Sequence, residues 1–143
     1  MVLGGHGEPM VPMHRYSRIS GIAISIFITK DRLDEIVERT RHGGAEILAL
    51  RQNSSAYDAP AASVAEMVDA IVHDRKRILP TVCILEGEYG QNDIAIGVPS
   101  VLGKNGMEKI INLDMDDEEK TMFNDSATIV HQTIDMLKQI KNL

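Results

Sequence analysis

Three apolar segments on short loops constrain the fold of this chain most strongly. They are Ile78–Glu86, Asp93–Leu102 and Met107–Leu113, and each is rich in β-forming residues. Residues 103–106, between the second and third segments, read Gly-Lys-Asn-Gly, which is typical of a tight hairpin turn. Because strands on loops this short pair antiparallel, we predict a three-stranded meander whose middle strand is broken at Pro99.

Three helices are predicted beside this sheet. Apolar residues recur at helical spacing over Asp31–Leu50, where Gly43 and Gly44 are expected to kink or break the helix. A second helix begins near Pro60, whose missing N–H does little harm there. A third covers roughly Asp116–Lys141, with acidic residues first and lysines last, as the helix dipole favours. Its predicted packing face consists of Met122, Ser126, Ile129, Val130, Thr133, Leu137 and Ile140.

The N-terminal region adds two short predicted strands, Val11–Tyr16 and Ile22–Ile28, with a bend between them. The whole chain therefore predicts an α+β fold class, with antiparallel strands packed against long helices. Its 143 residues are the length of one domain. A chain of that length can bury an ordinary hydrophobic core.

Composition excludes several classes of partner. A formal net charge of -6 argues against nucleic acid, and we interpret the basic clusters Arg15/Arg18 and Arg75–Arg77 as solvated surface. No apolar run approaches the roughly 20 residues that a membrane span needs, and the sequence begins with no secretion signal. The single cysteine, Cys83, is expected to be a buried small hydrophobe, which fits a reducing cytoplasm.

One histidine stands out chemically. Residues 4–12 read Gly-Gly-His-Gly-Glu-Pro-Met-Val-Pro, so His6 lies among glycines that permit tight turns and close approach of a ligand. An imidazole held in such a loop suits proton transfer near neutral pH. Taken alone, the motif is weak, and a structural role for His6 stays open.

Other chemistry finds less support. The remaining histidines lack ligand spacing to one another or to carboxylates, so no metal site is predicted. The glycines around His6 are followed by no lysine and do not have phosphate-loop spacing, so no cofactor-binding residue is predicted. Ser54 and Ser55 are possible nucleophiles by residue type, but no general base is implied near them.

Residues 4–12 resemble the Gly-Gly-His-Gly-Asp-x-Met-Val-Pro segment of the lactate/malate dehydrogenase family. Further similar segments keep their order along the chain: 39–46 (Arg-Thr-Arg-His-Gly-Gly-Ala-Glu), 55–63 (Ser-Ala-Tyr-Asp-Ala-Pro-Ala-Ala-Ser), 85–90 (Leu-Glu-Gly-Glu-Tyr-Gly) and 97–103 (Gly-Val-Pro-Ser-Val-Leu-Gly). The resemblance covers essentially the whole chain. It is strongest to the malate dehydrogenases of the family, because lactate dehydrogenases usually carry glutamate at the position of Gly5.

The resemblance implies that residues 1–143 are the C-terminal, substrate-binding and catalytic domain of an NAD-dependent malate dehydrogenase. His6 then accepts the proton of the substrate hydroxyl during oxidation and returns it during reduction. Ser55 matches a segment that borders the substrate pocket, where it is either a polar contact or a helix cap. The substrate class is a small 2-hydroxy or 2-oxo dicarboxylic acid, and the family implies a homo-oligomer.

In the family, NAD is bound by an N-terminal Rossmann half, which is absent from this sequence. That half also carries the aspartate that orients the histidine and the arginines that clamp the substrate. We therefore expect the chain to be a fragment that is inactive alone and needs a matching cofactor half. The sequence departs from the motif at Glu8, where the family has aspartate, followed by Pro9. The alternatives are the C-terminal domain of a lactate dehydrogenase and a non-catalytic oligomerisation module.

Overall fold

The computed structural model describes residues 1–52 and 56–141, which form one antiparallel five-stranded sheet, a small ribbon and long helices. The predicted α+β class is confirmed. The strands are β1 (Val2–Gly4), β2 (Met10–Pro12), β3 (Arg18–Ile19), β4 (Ile22–Ala23), β5 (Arg77–Glu86), β6 (Asn92–Gly103) and β7 (Gly106–Ile110). The helices are α1 (Lys30–Arg51), α2 (Asp58–Val72) and α3 (Asp117–Lys141).

The predicted meander is present, with β6 paired antiparallel to both β5 and β7. The prediction of a break at Pro99 is wrong, because β6 runs through it without interruption. Pro99 lies directly opposite Pro80, so the two missing N–H donors fall at a single rung of the ladder. The Pro99 carbonyl is still used, since it accepts the N–H of Ile111 at 2.8 Å.

The N-terminal strands are shorter than predicted. Strand β2 ends at Pro12 and is followed by a 3₁₀ turn at His14–Tyr16. Strand β4 covers only Ile22–Ala23 before a second 3₁₀ turn, and it pairs with β3 in a separate two-stranded ribbon. Strand β1 was not predicted. It pairs with β2 and also contacts β6, where Gly4 lies opposite Gly97.

Helix α1 is continuous through Gly43 and Gly44, so the predicted break is wrong. Each glycine costs about 0.5–1 kcal/mol in a helix but creates no steric conflict. The 22-residue helix stays continuous despite this cost in free energy. The side chain of Thr29 caps the first turn by accepting the N–H of Arg32.

The core lies between the sheet and α3. It is formed by buried side chains from β1, β2, β5, β6 and α3 and from the segments that follow β2 and precede α3: Leu3, Val11, Met13, Cys83, Leu85, Ile94, Ile96, Val98, Met115, Phe123 and Ala127. The predicted burial of Cys83 is confirmed. This burial raises the pKa of its thiol, so the group remains protonated and poorly nucleophilic.

The face that α3 turns toward the core agrees with the predicted one in the earlier part of the helix. The predicted position Ser126 is buried, and Met122 and Val130 are partly buried against the core, beside Phe123 and Ala127. The predicted positions Ile129, Leu137 and Ile140 are exposed instead. Residues 135–140 of the helix are all exposed, so periodicity alone could not show which part of its apolar stripe would be covered.

Arg15 is exposed, as predicted for a solvated basic cluster, but it also pairs with a distant carboxylate. Its Nε donates to both carboxylate oxygens of the buried Glu119 at 3.0 Å, and its Nη2 donates to Glu119 at 2.6 Å and to the Asp114 carbonyl at 2.8 Å. Glu119 also accepts the Asp116 N–H, while Asp116 accepts the Glu119 N–H. This reciprocal pair is a capping box, and the hydrogen bond to Glu119 raises the pKa of Arg15. The start of α3 is thereby tied to the segment that follows β2.

We expect Gly97→Ala to destabilise the chain by about 1–3 kcal/mol. A Cβ at Gly97 would lie 2.7 Å from the backbone oxygen of Gly4 on the neighbouring strand. Neither backbone can move away without disturbing the sheet. The free energy of unfolding from urea titration measures the effect.

Gly43→Ala is the matched control. Nothing lies within 4 Å of a Cβ at Gly43, and the position is inside α1. The same substitution is therefore expected to stabilise by about 0.5–1 kcal/mol. Equal effects of the two substitutions would contradict the close approach of β1 to β6.

Candidate functional site

His6 lies in the loop of a hairpin that the core holds at its base. Strands β1 and β2 pair with Leu3 opposite Val11, and both side chains are buried. Residues 5–9 form the connection, in which the N–H of Met10 donates to the Gly7 carbonyl at 3.0 Å. The histidine is therefore carried on a short loop attached to the central sheet.

Glycine is required where this loop leaves the sheet. Gly4 has a φ of 87°, a left-handed conformation that other residues rarely adopt. A Cβ there would also lie 2.6 Å from Ser126 Oγ on α3 and 2.9 Å from the Pro9 carbonyl oxygen. The N–H of Gly5 donates to the same Ser126 oxygen at 2.7 Å. The glycines before His6 thus admit a close contact between the loop and α3.

The His6 side chain is exposed and borders an open groove of about 380 Å³ between the hairpin and α1. The groove is lined by His6, Gly7, Glu8, Met10, Thr40, Arg41, His42, Gly44, Ala45 and Leu48. In the part of the chain that the structure describes, no hydrogen bond holds the His6 ring. Its imidazole is free to meet a ligand that enters the groove.

Arg41 places a cation in the same groove, and its side chain is 23% exposed. Its Nε donates to the Met10 carbonyl at 3.4 Å, and its Nη1 lies 3.6 Å from a Glu38 carboxylate oxygen. Arg41 lies in one of the segments that resemble the family, residues 39–46, but no pattern in the sequence indicated a role for it. An imidazole and a guanidinium lining one open groove can transfer a proton and attract an anion.

Other candidate chemistry is placed as follows. Ser55, the second predicted site residue, lies outside the described residues. Within residues 1–52 and 56–141, no group of three or more histidine, cysteine or acidic side chains could hold a metal ion. Among the helices of these same residues, none has both the length and the apolar character for crossing a membrane.

The sequence and the fold of this chain both match those of known proteins. The sequence pattern of the lactate/malate dehydrogenase alpha/beta C-terminal domain matches residues 1–141. The chain belongs to the lactate/malate dehydrogenase family. The resemblance read from the residues around His6 is thereby confirmed at the level of the family and of this domain.

Curated relatives are named as malate dehydrogenases. One from Thioalkalivibrio sulfidiphilus is 59% identical over 138 residues, which are 96% of this chain and 45% of the relative. One from Nitrosococcus oceani is 58% identical over 130 residues, which are 91% of this chain and 42% of the relative. The chain thus spans less than half the length of these two relatives.

Solved structures agree in fold. The malate dehydrogenase from Salinibacter ruber superimposes with a TM-score of 0.95 at 44% identity, over 99% of this chain and 46% of the other. A lactate dehydrogenase from Eimeria maxima, solved with NADH and oxamate, gives a TM-score of 0.89 at 36% identity, over 99% of this chain and 45% of the other. Backbone geometry alone therefore does not separate malate from lactate dehydrogenases.

Proposed function

We propose that this chain is the substrate-binding and catalytic half of an NAD-dependent malate dehydrogenase, which converts malate and NAD to oxaloacetate and NADH. His6 accepts the proton of the malate hydroxyl and returns it in the reverse reaction. The observation that carries the proposal is the exposed His6 imidazole at an open groove, on a loop anchored to both the sheet and a helix. The names of the relatives support malate as the substrate.

The proton transfer requires only a neutral imidazole within hydrogen-bond distance of the hydroxyl. The exposed ring at the groove can meet that requirement once substrate is bound. Correct placement of the imidazole contributes strongly to the rate of proton transfer, because a small misplacement of a reacting group lowers that rate. In our proposal, the groups that orient the ring and clamp the two carboxylates come from a matching N-terminal half.

The described residues do not fit NAD. Dinucleotide sites use parallel strands, with a glycine-rich turn leading into a helix N-terminus. Every strand pair among residues 1–52 and 56–141 is antiparallel. We therefore assign the cofactor to the matching N-terminal half and expect this chain alone to be inactive.

Three further parts of the proposal concern the substrate pocket, assembly and location. Ser55 is proposed as a polar contact at the substrate pocket. Homo-oligomerisation is supported by exposed apolar side chains on α2 and on β5, the strand that follows it in the chain. They are Val64, Val68 and Val72 on α2, and Ile78, Val82 and Ile84 on β5. The cytoplasm is proposed as the location, because the lone cysteine is a free thiol.

A chimaera tests the proposal. This chain replaces the matching 138 residues of the Thioalkalivibrio sulfidiphilus malate dehydrogenase. We expect malate-dependent NADH formation, followed by absorbance, with kcat/KM within about 10² of the parent enzyme, since a misplacement of the reacting groups by about 1 Å at the exchanged interface can lower the rate by that factor. Binding of NADH, followed by fluorescence, shows that the N-terminal half is folded, and a single cooperative thermal unfolding transition, followed by circular dichroism, shows that this chain is folded with it.

Two results would contradict the proposal in different ways. A chimaera that binds NADH and unfolds in one cooperative transition, but oxidises neither malate nor lactate, would favour the non-catalytic oligomerisation module. Faster oxidation of lactate than of malate would favour the lactate dehydrogenase alternative, for which the Eimeria maxima structure is the supporting observation.

A further inference from the structure

Ser126 differs from the other hydroxyl residues of α3. The hydroxyls of Thr121, Thr128 and Thr133 each donate to the carbonyl four residues earlier in their own helix, at 2.8–3.0 Å. The oxygen of Ser126 instead accepts the backbone N–H of Gly5, which is 121 positions away in the sequence, at 2.7 Å. Ser126 is also only 1% exposed, whereas Thr121, Thr128 and Thr133 are exposed. Its hydroxyl is thus directed at the His6 loop.

The contact is close-fitting on the loop side. A Cβ at Gly4 would lie 2.6 Å from Ser126 Oγ, and one at Gly5 would lie 3.6 Å from the same atom. At Gly5 it would also lie 3.1 Å from Pro9 Cγ. A side chain at Gly4 would therefore collide with Ser126, whereas at Gly5 the tight contact would be with Pro9 within the loop.

The Gly5 hydrogen bond fixes the chain immediately before His6. The bond from Met10 to the Gly7 carbonyl fixes the chain immediately after it. Since the described residues hold the exposed His6 ring by no hydrogen bond, its location depends on these two backbone anchors. Of the two, only the bond from Gly5 is made to a side chain, and it alone can be removed by substituting one residue.

We propose that Ser126 is a positioning residue for His6, which acts through the backbone N–H of Gly5. The inference rests on the proposed acid–base role of His6. Loss of the Ser126 oxygen frees the start of the loop and lets the imidazole move away from the substrate hydroxyl. Displacement of a reacting group by about 1 Å can lower a rate by up to about 10².

The first test uses the 143-residue chain itself, with Ser126→Ala and the matched control Thr128→Ala. Thr128 is an exposed residue two positions away on α3, and its hydroxyl donates to the Asn124 carbonyl of its own helix. Ser126→Ala is expected to speed hydrogen exchange at the Gly5 amide by about tenfold, which is the loss of one hydrogen bond. Nitrogen-15 relaxation should show increased motion at His6. Thr128→Ala should change neither the exchange rate at Gly5 nor the motion at His6. In both variants, unchanged hydrogen exchange of the amides that pair β5 with β6 shows that the fold is intact.

The second test places the same variants in the chimaera. Ser126→Ala is expected to lower kcat by about tenfold while KM changes by less than about twofold, because the reacting geometry is lost and binding is kept. A residue that only stabilises the fold would leave kcat per folded enzyme unchanged. Thr128→Ala should match the unsubstituted chimaera.

The outcomes separate the two proposals. If Gly5 exchange or kcat in Ser126→Ala equals that in Thr128→Ala, the inference about Ser126 is wrong and the role of His6 stands. If His6→Ala keeps full turnover, the proposed function fails first. In that case, only hydrogen exchange at the Gly5 amide and nitrogen-15 relaxation at His6 test whether Ser126 fixes the loop.

Discussion

His6→Ala in the chimaera is expected to lower kcat for malate oxidation by about 10²–10⁴, the usual range for loss of a general acid–base residue. Alanine removes the imidazole that accepts the hydroxyl proton and leaves the glycine loop intact. KM should change much less, because the proposed carboxylate clamps lie outside this chain. Steady-state rates of NADH formation at saturating malate give the comparison.

His73→Ala is the matched control. His73 follows the last residue of α2, its ring is exposed, and it contacts Asp69 on that helix rather than the groove. We expect its kcat to equal that of the unsubstituted chimaera. If His6→Ala keeps kcat within threefold of this control, His6 is a structural residue and the proposed mechanism is wrong.

Phe123→Ala is expected to lower the free energy of unfolding of the chain by about 3–5 kcal/mol. The ring is fully buried on α3 and lies 5.1 Å from the Tyr89 ring, centroid to centroid. Its removal leaves a cavity between the helix and the sheet that the rigid strands cannot close. Urea denaturation followed by circular dichroism measures the loss.

The chain offers an internal control, since it has only two phenylalanines. Phe27 is 53% exposed and lies outside the core. Phe27→Ala is therefore expected to change stability by less than about 0.5 kcal/mol. Similar losses in the two variants would show that α3 does not pack against the sheet as described.

Local pattern was sufficient for the elements whose neighbours lie close in sequence. Strands β5, β6 and β7 were predicted within about two residues at most ends, because each pairs with the next across a short loop. The long α3 was predicted because its charges and apolar period agree over 25 residues. Its buried face was predicted only in part, at Met122, Ser126 and Val130, because the extent of that face depends on contacts with strands distant in the sequence.

Glycine and proline led to wrong predictions in the second-longest helix and in the longest strand. Both α1 and β6 run through residues that usually interrupt such elements. In β6, the interruption is absorbed by a second proline across the ladder, at position 80. Pairings of this kind depend on register, and the sequence alone does not supply it.

In the candidate site, too, residues close together in the sequence were predicted and contacts between distant residues were not. His6 was found because its motif is contiguous in sequence and resembles that of a family. The contact from Ser126 joins residues 121 positions apart, and no local pattern indicates it. The pairing of Arg15 with Glu119 was not predicted for the same reason, since the two residues are 104 positions apart.

The central claim is that the imidazole of His6 moves the substrate proton. Chemical rescue tests it most directly, by adding free imidazole to the His6→Ala chimaera and following NADH formation from malate. The account predicts that the rate rises with the concentration of neutral imidazole, which can enter the open groove and accept the proton in place of the lost side chain. A rate that stays the same at every imidazole concentration, in a chimaera that still binds NADH, would contradict it.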